Sequence, residues 1–374
     1  MKHILIFASY GPSLINFRLS LIKKFLSKGY KVSVASPNYN FSINMQKELK
    51  ELKVNCYFFS LSRTGLNIFK DLKSMLQIYR IIKKSKANIV ISYTAKPVIY
   101  SGIVLKFFPK IRYYPLITGL GFAFTKIDQL KQKTIKYLMI KLYREGLKNS
   151  KKVIFQNKDD QALFYHLKII TKKNISNIIN GSGVDLNIFP VSSLPSEPIF
   201  LMISRLLVDK GVREYVKASK IVRSNHLNAR FWLAGYLDTN PSSITLDELE
   251  SWIHKGDIEY LGELRSVQSK LKACKYFVLP SYREGTPRSI LEALATGRPI
   301  ITTDVPGCRE TVVHKKNGLI VPPKDPVALA NAMINLLKEK NEIVNKMANE
   351  SFLIAKNKYE INKVNQSILD IMNL

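Results

Sequence analysis

Residues 276–293 read Tyr276-Phe277-Val278-Leu279-Pro280-Ser281-Tyr282-Arg283-Glu284-Gly285-Thr286-Pro287-Arg288-Ser289-Ile290-Leu291-Glu292-Ala293. The first four are apolar, aromatic or β-branched and end at a proline, the pattern of a short buried strand. A turn containing Gly285 follows, and then a helical pattern for which Thr286 is the predicted N-cap and Pro287 the predicted first helical residue. A strand, a tight turn and a helix tip form half of a crossover unit, and crossovers build parallel sheets. The helix tip presents unpaired amides and a partial positive charge at the strand's end, which suits an anion.

The same rhythm extends in both directions. Strand patterns fall at His3–Ala8, Lys31–Ala35, Asn55–Leu61, Asn88–Tyr93, Tyr113–Thr118 and Lys152–Gln156, separated by helical patterns. They resume at Ile199–Ser204, Arg230–Ala234, Glu259–Leu261, Tyr276–Pro280, Pro299–Thr303 and Leu319–Val321. Between the two series, Phe189–Pro198 holds three prolines and three serines, which suits a linker rather than a helix or central strand. The expectation is an α/β protein of two doubly wound, Rossmann-like domains facing across a cleft. The first spans residues 1–190 and the second 191–340, and a helical segment, 341–374, is able to cross back to the first.

Composition sets limits on what such a chain does. Its 374 residues, 46% hydrophobic, are enough for two cores and rule out a disordered or collagen-like chain. Cys56, Cys274 and Cys308 form no CxxC pair and no zinc-type spacing with histidine, which fits a reducing compartment and no structural metal. Met1–Phe7 is too short for a signal peptide, and Ile89–Phe108 is interrupted by Lys96, Pro97 and Lys106, so a cytoplasmic location is expected. The net charge is +30, and residues 1–190 hold 33 basic and 8 acidic residues against 25 and 20 in the remainder. A field of that sign suits a polyanion, an anionic membrane surface or a phosphate-rich substrate.

The residues just after strands carry the chemistry. Glu284 sits in the turn and Glu292 in the second turn of the following helix, where Cα–Cβ bonds tilt back toward the N-terminus, so both carboxylates can accept from hydroxyls of one sugar. The competing reading makes them a solvated loop charge and a helix-surface acid. After Ile199–Ser204 come Ser204-Arg205 and Lys210-Gly211, two cations at the equivalent sheet edge able to hold a diphosphate, or else surface ion pairs. His3, His166, His226, His254 and His314 form no metal-like cluster and read as surface or packing residues.

These motifs resemble the retaining glycosyltransferases of GT-B fold in family 4. Glu284 to Glu292 is similar to the family's E-x7-E, and Ser204-Arg205 to Lys210-Gly211 to its S-R-x4-K-G. Asn180-Gly181-Ser182-Gly183-Val184-Asp185 to Phe189 is like its NGVD segment, Thr303–Glu310 like its glycine loop, and Asn317-Gly318-Leu319 like its NGLLV turn. In the first half, Lys96–Gly102 and Ile117–Gly121 look like the subgroup that builds bacterial O-antigen, capsule and related glycans on a polyprenyl-diphosphate carrier. The resemblance implies a metal-independent retaining transfer from a nucleotide-diphosphate donor, a UDP-sugar such as an N-acetylhexosamine or a uronic acid, to a polyprenyl-diphosphate-linked saccharide. It implies that Arg205 and Lys210 neutralise the donor diphosphate, and that Glu292 holds the ribose and Glu284 the transferred sugar. The amides of Arg288 and Ser289 would meet donor oxygens, with Ser204 and Gly11 beside the donor. Ser13, Asn16, Lys96 and Thr118 would face the acceptor. No cofactor is implied, the nucleotide-sugar being a substrate. Two features depart from the family: the fourth position of E-G-x-G is Pro287, and Thr118-Gly119 stands where several members carry a histidine.

Other readings compete. Gly119-Leu120-Gly121 lacks the third glycine and the acid of a dinucleotide fingerprint. Nucleic-acid binding rests on charge alone, without an aromatic RNA-binding signature or zinc finger. A UDP-sugar epimerase of the same fold requires a pair of ionisable residues for proton abstraction, and no convincing pair stands out. Lys126–Lys152 has nine basic residues against Asp128 and Glu145, interleaved with Ile127, Leu130, Ile135, Leu138, Ile140, Leu142 and Leu147. That helix either lies on the anionic inner leaflet, making the protein peripherally associated with the membrane, or turns its stripe to its own sheet.

Overall fold

The structure, a computed structural model, describes the whole chain except residues 1, 40, 63–66, 121–123, 125–129, 225–227, 239 and 241, and except the side chains of 130–132. The chain forms two compact units, Met1–Ser182 with Asn365–Leu374, and Gly183–Val364.

The first unit has seven parallel strands: β1 (His3–Phe7), β2 (Lys31–Ser36), β3 (Asn55–Phe58), β4 (Ile89–Tyr93), β5 (Arg112–Ile117), β6 (Val153–Phe155) and β7 (Ser176–Ile178). Its helices are α1 (Pro12–Ser27), α2 (Ile43–Glu51), α3 (Ile68–Ser85), α4 (Ala95–Val104), α5 (Leu130–Leu147) and α6 (Lys158–His166). The strand order is β3-β2-β1-β4-β5-β6-β7. Every residue of β1 and β4 is buried, as expected for central strands covered by helices on both faces. The strand pattern in the sequence misses β7, a three-residue edge strand of half-buried Ser-Asn-Ile with no apolar run to mark it.

The second unit has β8 (Ile199–Ile203), β9 (Arg230–Ala234), β10 (Glu259–Tyr260), β11 (Tyr276–Leu279), β12 (Ile300–Thr303) and β13 (Gly318–Val321), in the order β10-β9-β8-β11-β12-β13. Around them pack α7 (Val212–Arg223), α8 (Leu246–His254), α9 (Gln268–Ala273), α10 (Arg288–Ala295), α11 (Pro326–Lys338) and α12 (Asn341–Ile354). The changeover at Ser182–Gly183 lies ahead of the Pro/Ser-rich segment, so that segment belongs to the second unit rather than joining the two. Its anchor is the fully buried Arg298. The guanidinium donates to Ser192 O, to Ser192 Oγ at 2.8 Å, to Ser193 O at 3.1 Å and to Cys274 O at 2.9 Å. A buried cation is tolerable only with its donors satisfied, and here carbonyls of Ser192, Ser193, Cys274 and Thr296 with the Ser192 hydroxyl satisfy them.

The last helix, α13 (Ile361–Met372), starts in the second unit and ends in the first. Within the first unit it is held by Asn365 Nδ2 to Ser20 Oγ at 2.9 Å, Tyr114 OH to Met372 O at 3.2 Å and Lys152 Nζ to Ile371 O at 2.6 Å. Among the described residues no helix is long and apolar enough to cross a membrane.

Each sheet begins in its middle, winds outward to one side and then resumes on the other. The strand order therefore reverses between β1 and β4 and again between β8 and β11. Ligand crevices in open parallel sheets lie beyond the carboxyl ends of such strand pairs.

Candidate functional site

In the second unit the loops after β8 and β11 meet. Lys210 ends the short 3-10 turn Val208–Lys210, and Gly211 caps α7 with φ +74°. A Cβ on Gly211 would stand 2.2 Å from Pro280 O, so only glycine lets the β8 loop lie against the end of β11. Tyr282 N donates to Asp209 O at 2.8 Å, joining the loops through the backbone as well. Lys210 Nζ consequently reaches Glu284 Oε1 at 2.5 Å, and Ser281 Oγ donates to the same oxygen at 2.8 Å. Both members of the ion pair are about 15% exposed.

The Glu284 turn is fixed from its other side by the loop after β12. Glu284 N donates to Pro306 O at 3.0 Å. Gly307, with φ +84°, packs so closely that a Cβ would come within 2.5 Å of the carbonyl oxygens of Glu284 and Gly285. Sequence reading placed Thr303–Glu310 by likeness alone; its physical task is to floor this turn. Arg205, 39% exposed, is held by Asp238 through Nη1–Oδ2 at 2.9 Å. Ser204, beside it, ties its amide to Ala234 O at 3.1 Å. Two cations are thus presented at one switch point, each engaged by a single carboxylate. A diphosphate carries more charge and more acceptor oxygens than either carboxylate and can compete for both.

The helix tip differs from the expectation in one detail. Pro287 is the N-cap, in extended conformation, with α10 beginning at Arg288, so Thr286 stands one residue before the cap. Proline's fixed φ suits the extended cap position, and the missing amide removes one donor from the tip. Helical amide bonds begin at Ile290 and Leu291, both to Pro287 O, leaving the amides of Arg288 and Ser289 ahead of the ladder. Glu292 is buried, which corrects the helix-surface alternative, and it accepts from Arg288 Nε at 2.7 Å. Burial holds its carboxyl above the usual range, and Arg288 opposes that shift.

The first unit gathers residues at its own switch point, between β1 and β4. Ser13 Oγ donates to Tyr10 O at 2.5 Å and lies 2.8 Å from Tyr93 OH. The guanidinium of the buried Arg18 lies 5.0 Å from the Tyr93 ring centroid. Burial pushes the Tyr93 phenol up to about 12, with Arg18 and Ser13 pulling the other way. Thr94, at φ 68° and ψ 156°, occupies backbone space that β-branched residues rarely adopt, and its Oγ1 donates to Ser9 Oγ at 2.8 Å. Lys96 opens α4 and is paired with Asp71 of α3 at 2.9 Å, both mostly buried. Asn16 is exposed on α1, and Thr118 lies just past β5, half-buried. Gly11 has a packing reason for its missing side chain, since a Cβ there would stand 2.5 Å from Phe41.

Arg18, Asp71, Tyr93 and Asp238 escaped sequence reading because no motif marks them; only their partners show their place. Among the described residues no group of three or more His, Cys, Asp or Glu is arranged to hold a metal. His3 is a packing residue, buried, with Nε2 2.8 Å from Ser33 Oγ, and burial lowers its pKa. His226, Gly121 and residues 126–129 lie outside the described residues. On α5, Leu147 is buried, and Ile140 and Leu142 pack on the first unit's core, so these apolar positions face that core, while Leu138 is 41% exposed.

Comparison with known proteins gives the family and the fold. Residues 3–157 match the family model described as glycosyl transferase 4-like, and residues 197–339 match that of glycosyl transferases group 1. A Campylobacter jejuni N,N'-diacetylbacillosaminyl-diphospho-undecaprenol alpha-1,3-N-acetylgalactosaminyltransferase is 30% identical over 346 residues, covering 88% of each chain. An Escherichia coli UDP-Gal:alpha-D-GlcNAc-diphosphoundecaprenol alpha-1,3-galactosyltransferase is 26% identical, covering 81% of this chain and 82% of that one. Among solved structures, Anabaena HepE in complex with UDP superposes with a TM-score of 0.78 at 16% identity over the whole of both chains, which speaks to the fold. With two family models matched in order and a relative of this identity spanning nearly nine-tenths of the chain, the protein belongs to the family 4 glycosyltransferases of GT-B fold.

Proposed function

We propose that this protein transfers a sugar from a nucleotide-diphosphate donor, a UDP-sugar, to a polyprenyl-diphosphate-linked saccharide at the cytoplasmic face of the membrane, in the synthesis of a bacterial surface glycan. The observation that carries the donor half is the contact between the two loops of the β8–β11 switch point, Lys210 to Glu284 at 2.5 Å, with Arg205 and the α10 tip at the same sheet edge. The acceptor half is supported by the Campylobacter jejuni and Escherichia coli relatives, whose names specify diphosphoundecaprenol-linked acceptors.

In this reading Lys210 and Arg205 release their carboxylates to the incoming diphosphate and neutralise the charge that grows on it as the glycosidic bond breaks. The Arg288 and Ser289 amides add helix-tip donors. Glu284, freed from Lys210, accepts from hydroxyls of the transferred sugar, and Glu292 from the ribose. The acceptor hydroxyl enters on the leaving-group face and the departing phosphate takes its proton, so the anomeric configuration is retained and no protein base is needed. Charge neutralisation by two side-chain cations supports a reaction without a metal ion. In the first unit, Gly11 would adjoin the donor, and Ser13, Asn16, Lys96 and Thr118 would face the acceptor.

The test is a transfer assay with a synthetic undecaprenyl-diphosphate saccharide and a panel of UDP-sugars, read by mass spectrometry of the lipid and by proton NMR of the new anomeric centre. Extension of the lipid with the donor's configuration kept, undiminished by EDTA, is the expected result. An epimerised UDP-sugar with no extended lipid would overturn the transfer reading. An inverted product would overturn retention, and loss of activity in EDTA would overturn metal independence.

A further inference from the structure

Helix α3 has two apolar faces, and the fold uses one of them. Ile78, Ile81 and Ile82 are buried in the first unit's core, with Ser74 buried on the same side. On the opposite side Phe69 is 86% exposed, Leu76 55% and Leu72 50%, and Tyr79 extends the stripe to Phe107, 73% exposed, at a ring-centroid distance of 6.2 Å. Positions 69, 72, 76 and 79 recur at helical spacing, so they form one continuous stripe rather than scattered exposure. Single exposed apolar residues are ordinary on a protein surface; a stripe of aromatic and leucine side chains requires an apolar partner.

The charges beside the stripe identify that partner. Lys70, Lys73, Arg80, Lys83 and Lys84 are exposed on the same helix, and its one acid, Asp71, is turned inward to Lys96. At about 100° per residue, Lys73, Arg80 and Lys84 line one flank of the stripe and Lys83 closes its end. A second copy of this chain would set these cations against their own likeness. An anionic bilayer satisfies both features, taking the apolar side chains into the acyl boundary and the cations among its phosphates.

We infer that the outward face of α3, with Phe107, is the surface by which the protein docks on an anionic lipid bilayer. The inference rests on the lipid-linked acceptor proposed above and assigns the docking to α3 rather than to α5. The Asp71–Lys96 pair joins the inner face of α3 to the acceptor-side residue of α4, so docking there sets Lys96 directly behind the helix that meets the lipid.

The experiment is co-sedimentation of the full chain with phosphatidylcholine vesicles, with and without 30 mol% phosphatidylglycerol. The wild type is compared with Phe69→Ser/Leu76→Ser, with Lys73→Gln/Arg80→Gln/Lys84→Gln, and with Leu138→Ser on α5. Thermal stabilisation by UDP monitors folding of every variant. Wild type is expected to bind the anionic vesicles, and the triple charge variant to bind about 100-fold more weakly, roughly fivefold per cation. The apolar pair should lower binding by about tenfold or more, and Leu138→Ser should leave it unchanged. Folded α3 variants that bind like wild type, or loss of binding in Leu138→Ser alone, would overturn the assignment to α3. Self-association abolished by the α3 substitutions, without vesicle binding, would replace the bilayer by a second copy. Transfer to a detergent-dispersed polyprenyl-diphosphate saccharide, which the α3 variants should retain, reports on the acceptor reading separately.

Discussion

Replacing Lys210 by Met keeps most of the side-chain volume and removes the ammonium that Glu284 meets at 2.5 Å. Two effects should follow, and they are separable. Breaking a buried ion pair by deleting one partner costs about 3–5 kcal/mol. Here lysine and glutamate remain 15% and 14% exposed and Ser281 still donates to Glu284, so about 2 kcal/mol is expected, after allowance for solvent screening. The rate should fall by about 100- to 1,000-fold, the usual consequence of deleting one preorganised charge from a site of developing negative charge. Adding Glu284→Gln removes the stranded carboxylate and should restore stability to within about 1 kcal/mol of wild type, as expected when both partners of a pair are replaced. The rate should stay low, since the diphosphate still lacks its cation. Urea unfolding read by tryptophan fluorescence gives the first quantity and steady-state transfer the second. If the double variant transfers sugar at a rate near wild type, Lys210 serves only to neutralise Glu284 and its part in catalysis is refuted.

Gly211→Ala should destabilise by about 2 kcal/mol or more, because left-handed backbone alone costs roughly 1–2 kcal/mol and the new methyl meets Pro280 O at 2.2 Å. Gly29→Ala, at φ +79° with open space around it, is the control and should cost only the backbone share, as measured by urea unfolding of both. Glu292→Gln tests the buried carboxyl. A folded-state pKa above the unfolded value makes the native state bind the extra proton, so stability is full below the ordinary carboxylate pKa and falls as pH rises above it. The glutamine variant should therefore gain on wild type between pH 4 and pH 8, and parallel stability curves over that range would refute the assignment. Cys274 and Cys308 are fully buried and their thiols are pushed up to about 12, so at pH 8 an aromatic disulfide reagent should label them only after unfolding. Rapid labelling of either in the native protein would contradict their burial.

The fold was legible because both sheets are parallel and their central strands are covered on both faces. Strands such as Ile199–Ile203 and Tyr276–Leu279 are continuous apolar runs, and the turns after them carry glycine and proline. The edge strand β7 was not legible, since half-buried Ser176 and Asn177 need no apolar pattern. Nor was the end of the first unit, where Arg298, distant in sequence, fastens Ser192 and Ser193 to the second. Spacing singles out Lys210, Arg205, Glu284 and Glu292 as candidates but not the partners that the fold gives them. Spacing along one strand end says nothing of Asp238, which comes from the loop after β9, or of the floor that Gly307 lays beneath the Glu284 turn. The α3 stripe was also hidden, because the helical period marks both of its apolar faces and only the packing tells which one is covered.

Calorimetric titration of UDP into the protein and into Arg205→Met/Lys210→Met addresses the donor site with the fewest intervening assumptions. Wild type should take up one UDP per chain, and the paired substitution should weaken that uptake by about 100-fold or more, each lost charge-assisted contact being worth roughly 1.5–3 kcal/mol. Equal affinity in a folded double variant would place the diphosphate somewhere other than between these loops.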